Sequence, residues 1–107
     1  EKVVNIIKAR ENDIYLSSAS CWEIIIKYSL DRLEIPTAPD TFILDEVQAN
    51  GFSILPITPP HTFELLNLPD IHKDPFGRIL IAQSKNERMP FLTNDERANR
   101  YAVDTVW

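Results

Sequence analysis

Three carboxylates stand where a metal-binding pocket can be assembled. Glu23 lies in the first turns of a helix expected from Ser18 onward, Asp74 opens another at Asp74-Pro75, and Asp95 follows a short apolar run, Phe91-Leu92-Thr93. Carboxylates gathered on one rim repel each other unless protons or cations neutralise them. Hard divalent cations such as Mg²⁺ or Mn²⁺ prefer all-oxygen sites, and a cation held there can generate hydroxide and stabilise a phosphodiester in the act of cleavage. Each acid also has a plainer role open to it. Asp before Pro caps a helix, Asp95 in Thr-Asn-Asp-Glu suits a turn, and a lone helical Glu is ordinarily solvated. His61 and His72 are too few and too far apart for zinc and suit packing or capping. Cys21 is the single cysteine, so no internal disulfide or thiolate zinc cluster is possible, and with Trp22 it is expected in the core.

Composition narrows the rest. The 107 residues carry 16 Asp and Glu against 11 Lys and Arg, a formal charge of −5, which counts against holding nucleic acid by bulk charge. The two glycines, Gly51 and Gly77, are too few and too far apart for either glycine-rich nucleotide loop. The longest purely apolar run, Ile79 to Ala82, is far short of a membrane span. No signal peptide is visible, and the lone cysteine fits a reducing, cytoplasmic compartment. One domain, residues 1–107, is expected from the length. The chain opens at Glu1 without a methionine, so an upstream segment is expected to be missing.

Eight prolines punctuate the elements that must position these acids. Val3 to Ile7 fit a short amphipathic helix ending near Asn12, and Ile14-Tyr15-Leu16 a strand. Ser17 to Ser20 offer caps for a helix from Ser18 to Arg32, with Trp22, Ile25, Ile26, Leu30 and Leu33 on its apolar face. Asp40 can cap a second helix that stops at Asn50-Gly51. Phe52 to Ile57 is a strand, Thr58-Pro59-Pro60 a helix start, and Phe76 to about Glu87 a helix with the core run Ile79–Ala82. A strand at 91–93, a helix from Asp95 to Arg100 and a strand from Val103 to Trp107 complete the order. Strands alternating with helices point to an α/β fold with a mostly parallel sheet, where function gathers beyond the carboxyl ends of the strands. In such a sheet Glu23, Asp74 and Asp95 can face one rim.

Four segments, in order, resemble PIN domains of the toxin type. They are Leu16-Ser-Ser-Ala-Ser-Cys-Trp-Glu23 with its helix to Leu33, Leu55-Pro-Ile-Thr-Pro-Pro-His61, Leu68-Pro-Asp-Ile-His-Lys-Asp74-Pro-Phe-Gly-Arg-Ile-Leu-Ile-Ala-Gln83, and Phe91-Leu-Thr-Asn-Asp95 with the ending Tyr101 to Trp107. The resemblance implies a Rossmann-like three-layer α/β/α sandwich around a parallel sheet. It also implies a Mg²⁺- or Mn²⁺-dependent ribonuclease, usually a homodimer, held inactive by a partner antitoxin. Such domains use about four acids. Glu23 matches the one on the helix after the second strand, and Asp95 matches the one at the Thr-x-Asp strand end. The strand bearing the first acid precedes Glu1, so the first strand is expected to be absent from this chain.

One position departs from the family. Gly77 stands where Asp-Pro-Phe-Asp-Arg has its second Asp, which leaves Asp74 either as the third ligand or as a cap. In the catalytic case Glu23, Asp74 and Asp95 hold the metal, Lys27, Lys73, Arg78 and Lys85 are candidates for steering the RNA backbone, and Asn94 is a candidate partner for a metal-bound water. The alternative is a PIN-fold partner-binding module that has lost catalysis through Gly77. A phosphoacceptor domain would need an acidic pair on an early strand and a Lys at a late strand end, and neither is present.

Overall fold

The computed structural model describes residues 2–9, 12–71, 74–92, 101 and 105–106. Along the chain run α1 (Lys2–Lys8), β1 (Tyr15–Ser17), α2 (Ser18–Ser29), α3 (Pro39–Asn50), β2 (Ser53–Leu55), α4 (Pro59–Glu64), a 3₁₀ turn (Leu65–Asn67), α5 (Pro75–Glu87), β3 (Phe91–Leu92) and β4 (Thr105–Val106). They fall into two compact units, Arg10–Pro56 and Glu1–Ala9 with Ile57–Trp107. Both strand pairs are parallel, as the alternation of strands and helices predicts.

In the 10–56 unit β1 lies beside β2, with Tyr15 opposite Ser53, Leu16 opposite Ile54 and Ser17 opposite Leu55. Ser17 ends the strand and caps the helix that follows. Its hydroxyl accepts the Ala19 N–H at 3.1 Å, a contact of the kind that contributes about 1 kcal/mol. α2 stops three residues before the expected Arg32. Asp31 takes a left-handed φ of 55°, which turns the Arg32 N–H back onto the Lys27 carbonyl at 2.9 Å. Pro39 provides the first residue of α3, so Asp40, expected as its cap, sits inside the first turn, where its charge still meets the positive end of the helix. Asn50-Gly51 ends α3 as the sequence indicates. Gly51 adopts φ 67°, a conformation costly for residues with a Cβ, and the Phe52 N–H returns to the Val47 carbonyl. β2 is shorter than the expected Phe52 to Ile57, since Pro56 has no N–H to extend the ladder.

The expectation that Trp22 belongs to the core is corrected by its position. α2 buries Ala19, whereas Trp22 is 60% exposed and Leu30 is also exposed. The apolar residues of α2 spread over more than one side of the helix, and a unit this small covers one side. Cys21 is half-buried.

The second unit is organised around α5. Ile81 and Ala82 are fully enclosed, and with Leu68 and Tyr101 they form a core against which Leu65, Ile71, Ile79 and Phe91 pack. α5 ends at Arg88 in a left-handed conformation, with the Met89 N–H bonded to the Ser84 carbonyl, and leads into β3. β3 pairs with β4, Phe91 opposite Thr105 and Leu92 opposite Val106. The expected helix from Asp95 to Arg100, and the strand residues Thr93, Val103 and Trp107, lie outside the described residues. α1 ends at Lys8, short of the expected Asn12.

Polar contacts hold α4 and its 3₁₀ turn to α5. His61 has no exposed surface, and its Nδ1 accepts the Thr58 N–H at 3.0 Å. That leaves the ring hydrogen on Nε2, which donates to Glu87 Oε2 at 2.6 Å, while the Gln83 amide approaches Nδ1 at 3.4 Å. The sequence expectation of a packing or capping histidine is met in both senses. Arg78 donates to the Pro69 and Leu65 carbonyls, and Lys85 lies 3.6 Å from Glu64. His61→Ala would leave a cavity, an unpaired Thr58 N–H and a carboxylate without its donor. It should therefore cost about 2–4 kcal/mol and lower the midpoint of thermal unfolding by on the order of 10 °C. A melting curve that does not shift would contradict this assignment.

Candidate functional site

Asp74 is placed by the local chemistry of its helix start. Pro75 cannot donate a backbone hydrogen bond and is preset for the first helical position, so the preceding residue becomes the cap. The exposed Asp74 carboxylate accepts the Phe76 N–H through Oδ1 at 3.0 Å, at the positive end of a 13-residue helix. Asp74 is thus a cap in fact, and a cap of this kind does not preclude ligation, because a carboxylate carries about four acceptor sites.

Glu23 sits in the second turn of α2, half-buried, with its carboxylate 3.7 Å from Lys27 Nζ one turn later. A glutamate preceding a lysine by four residues on a helix surface contributes roughly 0.3–0.5 kcal/mol. Glu23 belongs to the 10–56 unit and Asp74 to the other. Asp95 and Asn94 lie outside the described residues. Among the described residues no three of His, Cys, Asp and Glu form a group able to hold a metal ion. The expected donor set is all carboxylate oxygen, which suits Mg²⁺ or Mn²⁺ by type, but the described residues do not by themselves assemble it.

Gly77 is the third residue of α5 and has none of the positive φ that demands glycine. Its backbone conformation imposes no requirement for glycine. Among the basic residues expected to steer a substrate backbone, Arg78 is committed to two backbone carbonyls, Lys85 to Glu64 and Lys27 to Glu23. Lys73 lies outside the described residues. Burial pushes the Cys21 thiol up, an effect partly opposed by a backbone hydrogen bond, so it is poorly suited to act as a thiolate nucleophile. The His61–Glu87 pair has no signal in the sequence, since its members lie 26 residues apart.

These elements and their order find a match among known proteins. The profile of the PIN domain family matches residues 1–104. The chain belongs to the PIN domain family. Ribonuclease VapC16 of Mycobacterium tuberculosis (strain ATCC 25618 / H37Rv) is 37% identical to it over 57 residues. That segment is 53% of this chain and 40% of the relative, so the chain spans less than half the length of the curated protein it matches. No solved structure matches. PIN domains have an α/β, Rossmann-like fold, in keeping with the parallel strand pairs seen here. Among the described residues no helix is long and apolar enough to cross a membrane.

The two roles open to Asp74 separate by substitution. Asp74→Asn keeps an oxygen for the Phe76 N–H and should hold stability within about 0.5 kcal/mol, whereas Asp74→Ala should cost about 1 kcal/mol, both read by urea unfolding. Equal losses for the two variants would show that the cap bond does not contribute.

Proposed function

We propose that this PIN domain, residues 1–107, is a metal-dependent endoribonuclease and the toxin of a toxin–antitoxin pair. The observation that carries the proposal is the PIN match along nearly the whole chain, supported by the likeness to a protein named as a ribonuclease. Glu23, Asp74 and Asp95 are the residues that would hold Mg²⁺ or Mn²⁺. When bound, such an ion supplies a hydroxide nucleophile at neutral pH and offsets the charge that builds on the phosphodiester.

The chain's own part is to hold the carboxylates. Asp74 is fixed by the Phe76 N–H and Pro75, and Glu23 projects from the second turn of a helix whose start is fixed by Ser17. The substrate is RNA, the inhibitory partner a cognate antitoxin, the working form a homodimer and the compartment the cytoplasm. These four assignments follow from toxin-type membership.

Purified protein with Mn²⁺ should cleave single-stranded RNA, and Asp95→Ala should lower the rate by at least about 100-fold, as should Glu23→Ala. Equal cleavage by wild type and Asp95→Ala would assign the activity to another source. No cleavage by wild type, restored by Gly77→Asp, would favour a PIN fold kept as a partner-binding module.

A further inference from the structure

The end of α3 carries a dipeptide with chemistry of its own. Asn50 is the one asparagine of the chain that is followed by glycine. The backbone nitrogen after an asparagine can attack that side chain's carbonyl carbon and close a five-membered ring. Glycine permits the attack most readily, because it has no Cβ to shield its nitrogen. A Cβ built on Gly51 would meet nothing within 4 Å, so the surrounding structure does not crowd the site either. Gln48, Ala49, Asn50 and Gly51 are all exposed, and water reaches them.

The folded helix end restrains the atoms that this reaction needs. Asn50 Nδ2, the leaving group, donates to the Glu46 carbonyl at 2.8 Å and to Glu46 Oε2 at 3.2 Å. The Gly51 nitrogen, the attacking atom, donates its hydrogen to the Gln48 carbonyl at 3.3 Å. The Phe52 N–H closes the turn on the Val47 carbonyl at 3.0 Å. These bonds belong to the last turn of an exposed helix, the kind of segment that opens at low free-energy cost.

We propose that Asn50 is a site of spontaneous deamidation, gated by opening of the last turn of α3. Once the turn opens, the Gly51 nitrogen loses its proton to solvent and bonds to Asn50 Cγ. The Cγ–Nδ2 bond breaks, and the amide nitrogen leaves as ammonia. Water then opens the ring at either carbonyl, giving aspartate or isoaspartate at position 50. One water is consumed and one ammonia released, with no change of oxidation state.

Either product sets a carboxylate one turn from Glu46 and at the negative end of the helix, and both repel it. It also removes the donor that the Glu46 carbonyl had. The 10–56 unit already carries eight Asp and Glu against three Lys and Arg, a formal −5, whereas the rest of the chain carries eight of each. Isoaspartate further lengthens the backbone by one carbon directly before the Gly51 turn. That turn feeds β2, where the Ser53 N–H donates to the Ile14 carbonyl at 2.9 Å. Deamidation thus loosens the parallel pair of this unit. The proposal is independent of the nuclease reading, since it uses none of the candidate ligands.

The test keeps wild-type protein at mildly alkaline pH and maps its digested peptides by mass spectrometry over time. Position 50 should gain the mass of an amide-to-acid exchange sooner than any other asparagine. An isoaspartate-specific methyltransferase should label the same peptide. In urea that unfolds the chain the rate should rise by at least about 10-fold, because the open turn is then fully populated. Asn50→Gln, whose longer side chain needs a six-membered ring, should stay unmodified over the same period. The modified protein, and Asn50→Asp, should unfold at lower urea than wild type. Equal rates at position 50 in folded and unfolded protein would overturn the gating. Conversion in urea with none in the folded protein would overturn local opening, since only global unfolding would then expose the site. Conversion of the other asparagines at the same rate would overturn the assignment to Asn50.

Discussion

The second unit depends on one buried imidazole. His61 must satisfy both ring nitrogens within the protein, because no water reaches it, and burial without partners would cost on the order of 1–3 kcal/mol per group. The Thr58 N–H takes one nitrogen and the Glu87 carboxylate the other, so the start of α4 is joined to the last residue of α5. Lys85–Glu64 and the two Arg78 bonds repeat that link along α5 toward Asp74. The helix whose first turn presents the candidate ligand is therefore held along its length by polar contacts, while Ile81 and Ala82 fill the core beneath it. A carboxylate at the start of so constrained a helix has a fixed position, which metal ligation requires.

Charge is distributed unevenly between the two units. An overall charge of −5 argues against nucleic acid when it is treated as uniform, but it belongs wholly to residues 10–56. The unit that carries Asp74 and Asp95 in its sequence is formally neutral, so bulk charge is no obstacle to RNA there.

What was legible in the sequence was what local chemistry fixes. Asp74-Pro75, Thr58-Pro59-Pro60 and Asn50-Gly51 each mark a helix end because Pro and Gly restrict the backbone whatever surrounds them. Parallel pairing followed from the alternation of elements. The burial of Trp22 was misjudged because periodicity shows that a helix has apolar positions, and only tertiary packing decides which of them meet a core. The end of α2 was misplaced because Asp31 turns left-handed without a glycine to announce it. His61 and Glu87 meet across 26 residues, beyond the reach of any local pattern. Of the three candidate ligands, Glu23 and Asp74 stand on the elements expected for them, and Asp95 lies outside the described residues.

The central proposal is that Glu23, Asp74 and Asp95 are ligands of a divalent metal ion. Titrating Mn²⁺ into isotopically labelled protein and following paramagnetic broadening of backbone amide signals tests this most directly. The account predicts that the amides around Glu23, Asp74 and Asp95 broaden together at the same metal concentration, and that Asp95→Ala abolishes the broadening at all three. Broadening confined to one of these positions, or spread over the exposed carboxylates of α3 instead, would contradict it.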